Sequence, residues 1–169
     1  MRGNAPLLVV LGLGSNLGDS RQIILDAACA LGKVLSGLAR ASLYETEPLY
    51  VKDQNRFINT VVSGYSRGLK ARELLCLVQK IEKDFGRDRA GERRRGERFL
   101  DIDILLYGDL VIKEPDLEIP HPGIRERRFV LEPLLELLPD AAEPGTGISY
   151  RSICESLPDQ GVRQLTINS

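Results

Sequence analysis

The sequence predicts an α+β fold: a ferredoxin-like βαββαβ core, its antiparallel sheet carrying helices on both faces as a three-layer α/β/α arrangement. Three observations carry that expectation. Short aliphatic runs alternate with helical patterns, the helical stretches repeat apolar residues at three- and four-residue spacing, and turn residues punctuate each change of period. With 169 residues and 43% hydrophobic content the chain suits one hydrophobic core, so 1–169 is read as a single domain.

Leu7 to Leu13 reads as a buried strand, closed by the turn residues Gly14, Ser15, Asn16 and Gly18. A strand explains this stretch better than a signal-peptide core, because no small-residue cleavage site follows it. Asp19 or Ser20 then caps a helix in which Ile23, Ile24, Ala27, Ala28 and Leu31 share a face, with Gly32 near its end. Leu38 to Tyr44 and Phe57 to Tyr65 are strand-like, joined by a polar loop from about Glu45 to Arg56 that carries Pro48. A second helix runs from Lys70 to Phe85, with Leu74, Leu75, Val78, Ile81 and Phe85 inward and Gly86 as a left-handed cap. Phe99 to Tyr107 is the clearest strand, turned by Gly108 and Asp109 into a short partner at Leu110 to Ile112. Phe129 to Leu138 supplies a later helix for the other face of the sheet.

Composition bounds the function. Lys plus Arg number 23 against 24 for Asp plus Glu, a net charge of -1, so nothing draws the whole molecule to nucleic acid or an acidic membrane. Phosphate affinity must be local. No stretch approaches the ~20 apolar residues that span a bilayer. Cys29, Cys76 and Cys154 are odd in number and widely spaced, which indicates neither a disulfide framework nor a zinc site and fits a cytoplasmic setting. All three are expected to pack as buried thiols in helices.

Three constellations point to chemistry. In Leu100-Asp101-Ile102-Asp103-Ile104 the alternation of a strand puts the aliphatic residues on one face and both aspartates on the other, with Cα atoms about 6.7 Å apart. Two carboxylates so placed suit Mg²⁺ completed by water and phosphate oxygens, and equally suit the polar outer face of a half-exposed strand. Arg87, Arg89, Arg93, Arg94, Arg95 and Arg98 make six of the twelve residues from Arg87 to Arg98. That density reads either as a solvated loop relieved by Asp88, Glu92 and Glu97, or as a set of guanidinium forks for phosphate oxygens. Its position beside the aspartates favours a nucleotide triphosphate with Mg²⁺ between them. His121, framed by Pro120 and Pro122, is either a structural turn residue or a donor toward phosphate, with Arg127 nearby. Gly12, Gly14 and Gly18 do not match dinucleotide spacing, and no Walker A lysine is present.

Taken in order, the residues resemble the 6-hydroxymethyl-7,8-dihydropterin pyrophosphokinase family nearly end to end. The matching segments are L-G-L-G-S-N-L-G-D at Leu11 to Asp19, F-I-N at Phe57 to Asn59, Q-K-I-E at Gln79 to Glu82, G-R-x-R at Gly86 to Arg89, R-F-L-D-I-D-I-L-L-Y-G at Arg98 to Gly108, and P-H-P with R-x-R-R-F-V-L-x-P-L through Leu134. The resemblance implies transfer of the diphosphate of ATP to the pterin hydroxymethyl group, releasing AMP, as a step in folate biosynthesis. It implies two Mg²⁺ ions on Asp101 and Asp103, catalytic roles for Arg87 and Arg98, and triphosphate contacts from Arg89, His121 and Arg127. Gln79 and Glu82, sharing a helix face, would order the nucleotide end. Thr46, Leu49 and Asn59 would meet the pterin, its ring stacked between Phe57 and Phe129.

The sequence departs from the family in places. R-R-R-G-E-R at Arg93 to Arg98 replaces the usual R-W-G-P-R, so Arg94 or Arg95 would stack where a tryptophan is usual. Glu47 stands for a proline, and Pro122 for an aromatic residue. ATP and the reduced pterin are the expected partners, with no nucleic acid, membrane or obligate protein partner. The rival readings are an RNA-binding ferredoxin-like module, which would need its own aromatic stacking motif, and a catalytically weakened nucleotide-binding homologue.

Overall fold

A computed structural model describes residues 5–48, 53–86 and 97–166. The first strand, β1 (Leu8–Ser15), is apolar on both faces because it lies inside the sheet. It pairs antiparallel with β4 (Phe57–Tyr65) from Leu8↔Tyr65 to Ser15↔Ile58 and on its other edge with β5 (Asp101–Tyr107). The expected strand at Leu38 to Tyr44 forms instead as two pieces on β4, β2 (Ser36–Arg40) and β3 (Tyr44–Thr46). Side chains intervene between them. Thr60 Oγ1 donates to the carbonyls of Ala41 and Ser42 at 3.0 Å each, and Ser42 N donates to Glu136 at 2.9 Å.

Helix α1 (Ser20–Leu31) starts where Asp19 accepts from the N–H of Gln22 and buries Ile24, Ala27, Ala28 and Leu31. Helix α2 (Ala71–Asp84) buries Leu74 and Val78 and also Glu82, and ends at Gly86 with φ 91°. The N–H of Lys70 donates to Glu73 at 2.7 Å, closing the first turn. Among the described residues six strands form one antiparallel sheet in the order β5-β1-β4-β3-β8, with β2 also on β4 and β8 covering Arg163–Gln164.

Alternation along β1 sorts the core into two clusters. Val9, Leu11 and Leu13 pack with residues of α1 and α2, whereas Val10 packs with α3 (Arg128–Leu137) and α4 (Tyr150–Ser156). In β5 the register slips: Val10 faces Leu106 and Leu11 faces Ile104, leaving Leu105 as an extra residue.

Three expectations are corrected here. β5 begins at Asp101 rather than Phe99, because the Phe99 ring turns aside to lie over Gly18 and Gly86, where an added Cβ would come within 3.2 and 3.3 Å of it. Leu110 to Ile112 does not pair with β5. The free edge of β5 is engaged elsewhere, by Glu82 at Ile102 N and by His121 N at Leu105 O, so β6 (Ile112–Glu114) pairs with β7 (Leu117–Ile119) in a sheet of their own. Cys29 and Cys76 are exposed on their helices, and of the three thiols Cys154 alone is buried.

Candidate active site

The aspartates of β5 open onto the face of the sheet that α3 also covers. Ile102 and Ile104 point into the α1–α2 cluster, so Asp101 and Asp103 take the opposite face. Across the ladder each aspartate meets a glycine of β1, Asp101 opposite Gly14 and Asp103 opposite Gly12. Two missing side chains at i and i+2 leave a bare floor. A Cβ at Gly14 would lie 2.9 Å from Asn59 Oδ1, and one at Gly12 would lie 3.4 Å from Leu105. The spacing of these glycines was the signal, legible once they are placed on a strand rather than in a nucleotide-binding turn.

Each carboxylate has a cationic or donor neighbour. Arg98 Nη1 lies 3.4 Å from Asp101 Oδ2, and His121 Nε2 lies 3.7 Å from Asp103 Oδ1. His121 is held by its backbone N–H on the extra residue of β5, Leu105 O, at 3.0 Å, and its Nδ1 accepts the N–H of Gly123 at 3.0 Å. That bond assigns the ring proton to Nε2, facing Asp103. Burial, and then the charge of Arg127, pushes the imidazole below its usual pKa of 6.5, so it is a neutral donor at neutral pH.

The Arg127 guanidinium lies across Gly123, where a Cβ would stand 2.7 Å from its Cζ, and 5.9 Å from the centre of the Phe129 ring. Its Nε is buried with no hydrogen-bond partner among the described residues. A buried donor left open beside a cleft fits an anionic ligand. Glu82, 1% exposed, accepts the N–H of Ile102 at 3.1 Å, so α2 braces the strand midway between the two aspartates. Gln79 is exposed on α2 while Glu82, three residues on, is buried, so the edge of the core passes between them.

The same cleft, about 140 Å³, takes in Thr46, Phe57, Asn59 and Phe129 together with Arg98, Asp101, Asp103 and Arg127. Asn59 Nδ2 donates to Thr46 Oγ1 at 2.9 Å, which fixes the amide with Oδ1 over Gly14. Gln54 and Glu47 line the cleft as well, although no local sequence signal marks them as ligand contacts. Leu49, Arg87, Arg89 and Arg94 lie outside the described residues. Among the described residues no three His, Cys, Asp or Glu side chains gather as a metal cluster. The Asp101–Asp103 pair offers hard oxygen donors on one face, which is the donor chemistry that Mg²⁺ takes when phosphate and water complete its shell.

Comparison of the fold defines the class first. Wild-type Plasmodium falciparum HPPK-DHPS with pterin and p-hydroxybenzoate superposes with a TM-score of 0.71 at 17% identity, over 92% of this chain and 44% of that one. This is a mixed α+β protein with an antiparallel sheet of that architecture. The chain belongs to the 7,8-dihydro-6-hydroxymethylpterin-pyrophosphokinase (HPPK) family, whose model matches residues 10–139. The 2-amino-4-hydroxy-6-hydroxymethyldihydropteridine pyrophosphokinase of Aquifex aeolicus is 40% identical over 80% of this chain and 83% of its own length. Its Pseudomonas aeruginosa counterpart is 36% identical over 93% and 96%. The folic acid synthesis protein fol1 of Pneumocystis carinii is 40% identical over 92% of this chain, which spans only 21% of that protein.

Proposed function

We propose that this chain transfers the diphosphate of ATP to the hydroxymethyl group of 6-hydroxymethyl-7,8-dihydropterin, releasing AMP, in folate biosynthesis. One observation carries the reading: a single cleft holds two strand carboxylates with Arg98 and Arg127, and two aromatic rings with a fixed amide. The first set suits phosphates and the second a flat heterocycle with polar edges.

Phe57 and Phe129 bind the pterin ring, and Asn59 Oδ1, held by the bond to Thr46, accepts from its N–H edge. Arg98 and Arg127 take phosphate oxygens, and His121 donates through Nε2. Asp101 and Asp103 hold Mg²⁺, two ions in this proposal, which when bound neutralises phosphate charge as it shifts toward the leaving AMP. The pterin hydroxyl oxygen forms its bond to the β-phosphorus as the bond from that phosphorus to the α,β-bridging oxygen breaks, the bridging oxygen leaving on AMP and the hydroxyl proton passing to solvent. Leu49, Arg87, Arg89, Arg94 and Gln79 keep the ligand roles implied by the family resemblance.

The finer architecture belongs to the same proposal. The order β5-β1-β4 followed by β2 and β3 suits a ferredoxin-like core, with the broken second strand as its variation, and the two core clusters suit three layers. We also propose a single pyrophosphokinase domain in a cytoplasmic setting, supported by the free thiols. No helix of the described residues is long and apolar enough to cross a membrane.

The test is incubation with Mg-ATP and the reduced pterin alcohol, followed by chromatography of the nucleotides. Acceptor-dependent AMP is the expected product; ADP as the main product overturns the reading in favour of an ordinary kinase.

A further inference from the structure

Arg127 stands between a 3₁₀ turn at Pro122–Glu126 and the start of α3, with extended backbone at φ -122° and ψ 101°. Its local hold is weak. The Arg127 N–H donates to Ile124 O at 3.4 Å, beyond the usual range of about 2.7–3.2 Å, and its side chain does not cap α3. The firm bonds come from near the end of the chain. Gln160 Oε1 accepts the N–H of Arg128 at 2.9 Å, and Gln160 Nε2 donates to Glu126 O at 2.9 Å. One amide therefore grips the main chain on both flanks of Arg127, and it caps a donor that the first turn of a helix leaves open.

Gln160 is itself seated. Asp159 Oδ1 accepts the N–H of Gly161 at 2.9 Å, closing a turn in which Gly161 takes φ 67°. Arg128 Nη1 donates to the carbonyls of Cys154 and Leu157 at 2.9 Å each, so the start of α3 holds the end of α4 while Gln160 holds the start of α3. The grip needs one acceptor and one donor at the same head, which an amide supplies and a carboxylate of equal length does not. Gln160 lies beyond residues 10–139, the part of the chain that the family model matches.

The guanidinium depends on this main chain for its direction. Its Nε is buried with no partner among the described residues, and Gly123 and the Phe129 ring bound it by packing rather than by hydrogen bonds. A rotation of the backbone at residue 127 would be carried along the whole side chain. We propose that Gln160 is a positioning residue that aims Arg127 at phosphate. A direction set in advance lowers the ordering cost when the anion binds. This rests on Arg127 serving as a phosphate ligand in the pyrophosphokinase reading above.

The affinity of a non-hydrolysable Mg-ATP analogue is measured by calorimetry in wild type, Gln160→Ala, Arg127→Ala and the double variant. Arg127→Ala is expected to weaken binding roughly 30-fold and Gln160→Ala about tenfold, because charge-assisted bonds are lost in the first and misdirected in the second. Added to Arg127→Ala, the Gln160 substitution should cost less than about twofold, since its target is already gone. An equal loss in both backgrounds would mean that Gln160 only secures the C-terminal segment, and would overturn the proposal. Gln160→Met keeps the length without charge or hydrogen bonds, and it repeats the cycle if the alanine variant does not fold. Wild-type affinity in folded Gln160→Met, or in Arg127→Ala, also overturns the proposal. In each of these cases acceptor-dependent AMP formation by the wild type continues to support the enzymatic reading. Absence of that AMP overturns the enzymatic reading, while the cycle, which follows nucleotide binding alone, still decides the role of Gln160.

Discussion

Gly14 stands between Asn59 on β4 and Asp101 on β5, their register partner in both ladders. In the proposed reading the phosphate side and the pterin side of the cleft therefore meet over a residue without a side chain. Gly14→Ala should weaken pterin binding at least tenfold, since the new Cβ would sit 2.9 Å from Asn59 Oδ1 and displace the amide from Thr46. Gly12→Ala, with 3.4 Å of room to Leu105, should bind pterin nearly normally. Equilibrium titration of the pterin against both variants checks the contrast; equal effects would remove Gly14 from the recognition floor.

Asp101→Asn and Asp103→Asn should each lower turnover by ~100-fold or more at saturating Mg²⁺, because charge stabilisation at the transferring phosphates is lost. Ile102 and Ile104 keep the strand in the core, so circular dichroism and thermal midpoint should hardly move. Near-normal rates in both variants would return the pair to a structural role.

Glu82→Ala should cost about 1–3 kcal/mol of stability by leaving Ile102 N–H buried without its acceptor. Glu82→Gln retains a carbonyl acceptor and should lose less. Urea unfolding compares them, and an alanine variant as stable as wild type would dismiss the brace between α2 and β5.

His121 should titrate below 6.5 in the free protein, because burial first and Arg127 second disfavour its charged form. A histidine whose folded pKa is lowered contributes in full above its unfolded value and loses that contribution as pH falls through the folded value. Stability should therefore decline on acidification below about pH 6.5, the ordinary histidine pKa, and His121→Gln should flatten this part of the profile. Mg-ATP should raise the His121 pKa by bringing phosphate charge near Nε2. NMR titration of the ring protons follows both, and a free-protein value above 6.5 would contradict the desolvation argument.

How much of this was legible depends on the distance over which each feature is determined. The facing of Asp101 and Asp103 needed only the period of a strand, and the caps at Asp19 and Gly86 needed only local turn chemistry. The pairing of Arg98 with Asp101 is near in sequence, and the arginine density pointed toward it. His121 beside Asp103 depends on a return of the chain that no local rule supplies. The spacing of Gln79 and Glu82 lets them share a helix face, but that Glu82 is buried and Gln79 exposed is set by tertiary packing alone. The split between β2 and β3 likewise reflects distant partners, Thr60 and Glu136. A proline or glycine would have marked such a break; none stands between Arg40 and Tyr44.

The extra residue of β5 has a consequence for insertions and deletions. Because Leu105 is unpaired, Asp103 and Leu106 keep one face while Ile104 and Tyr107 keep the other, as they would in a strand one residue shorter. Removal of Leu105 would thus restore plain alternation, leaving both halves of the strand in phase. A deletion between Asp101 and Ile104 would instead invert the residues on one side of the gap. What the chain gains by carrying Leu105 is a carbonyl outside the ladder, and that carbonyl is where His121 is moored. The strand thus has a single position at which its length is free to change without turning a carboxylate into the core, and it spends that freedom on the placement of its one histidine.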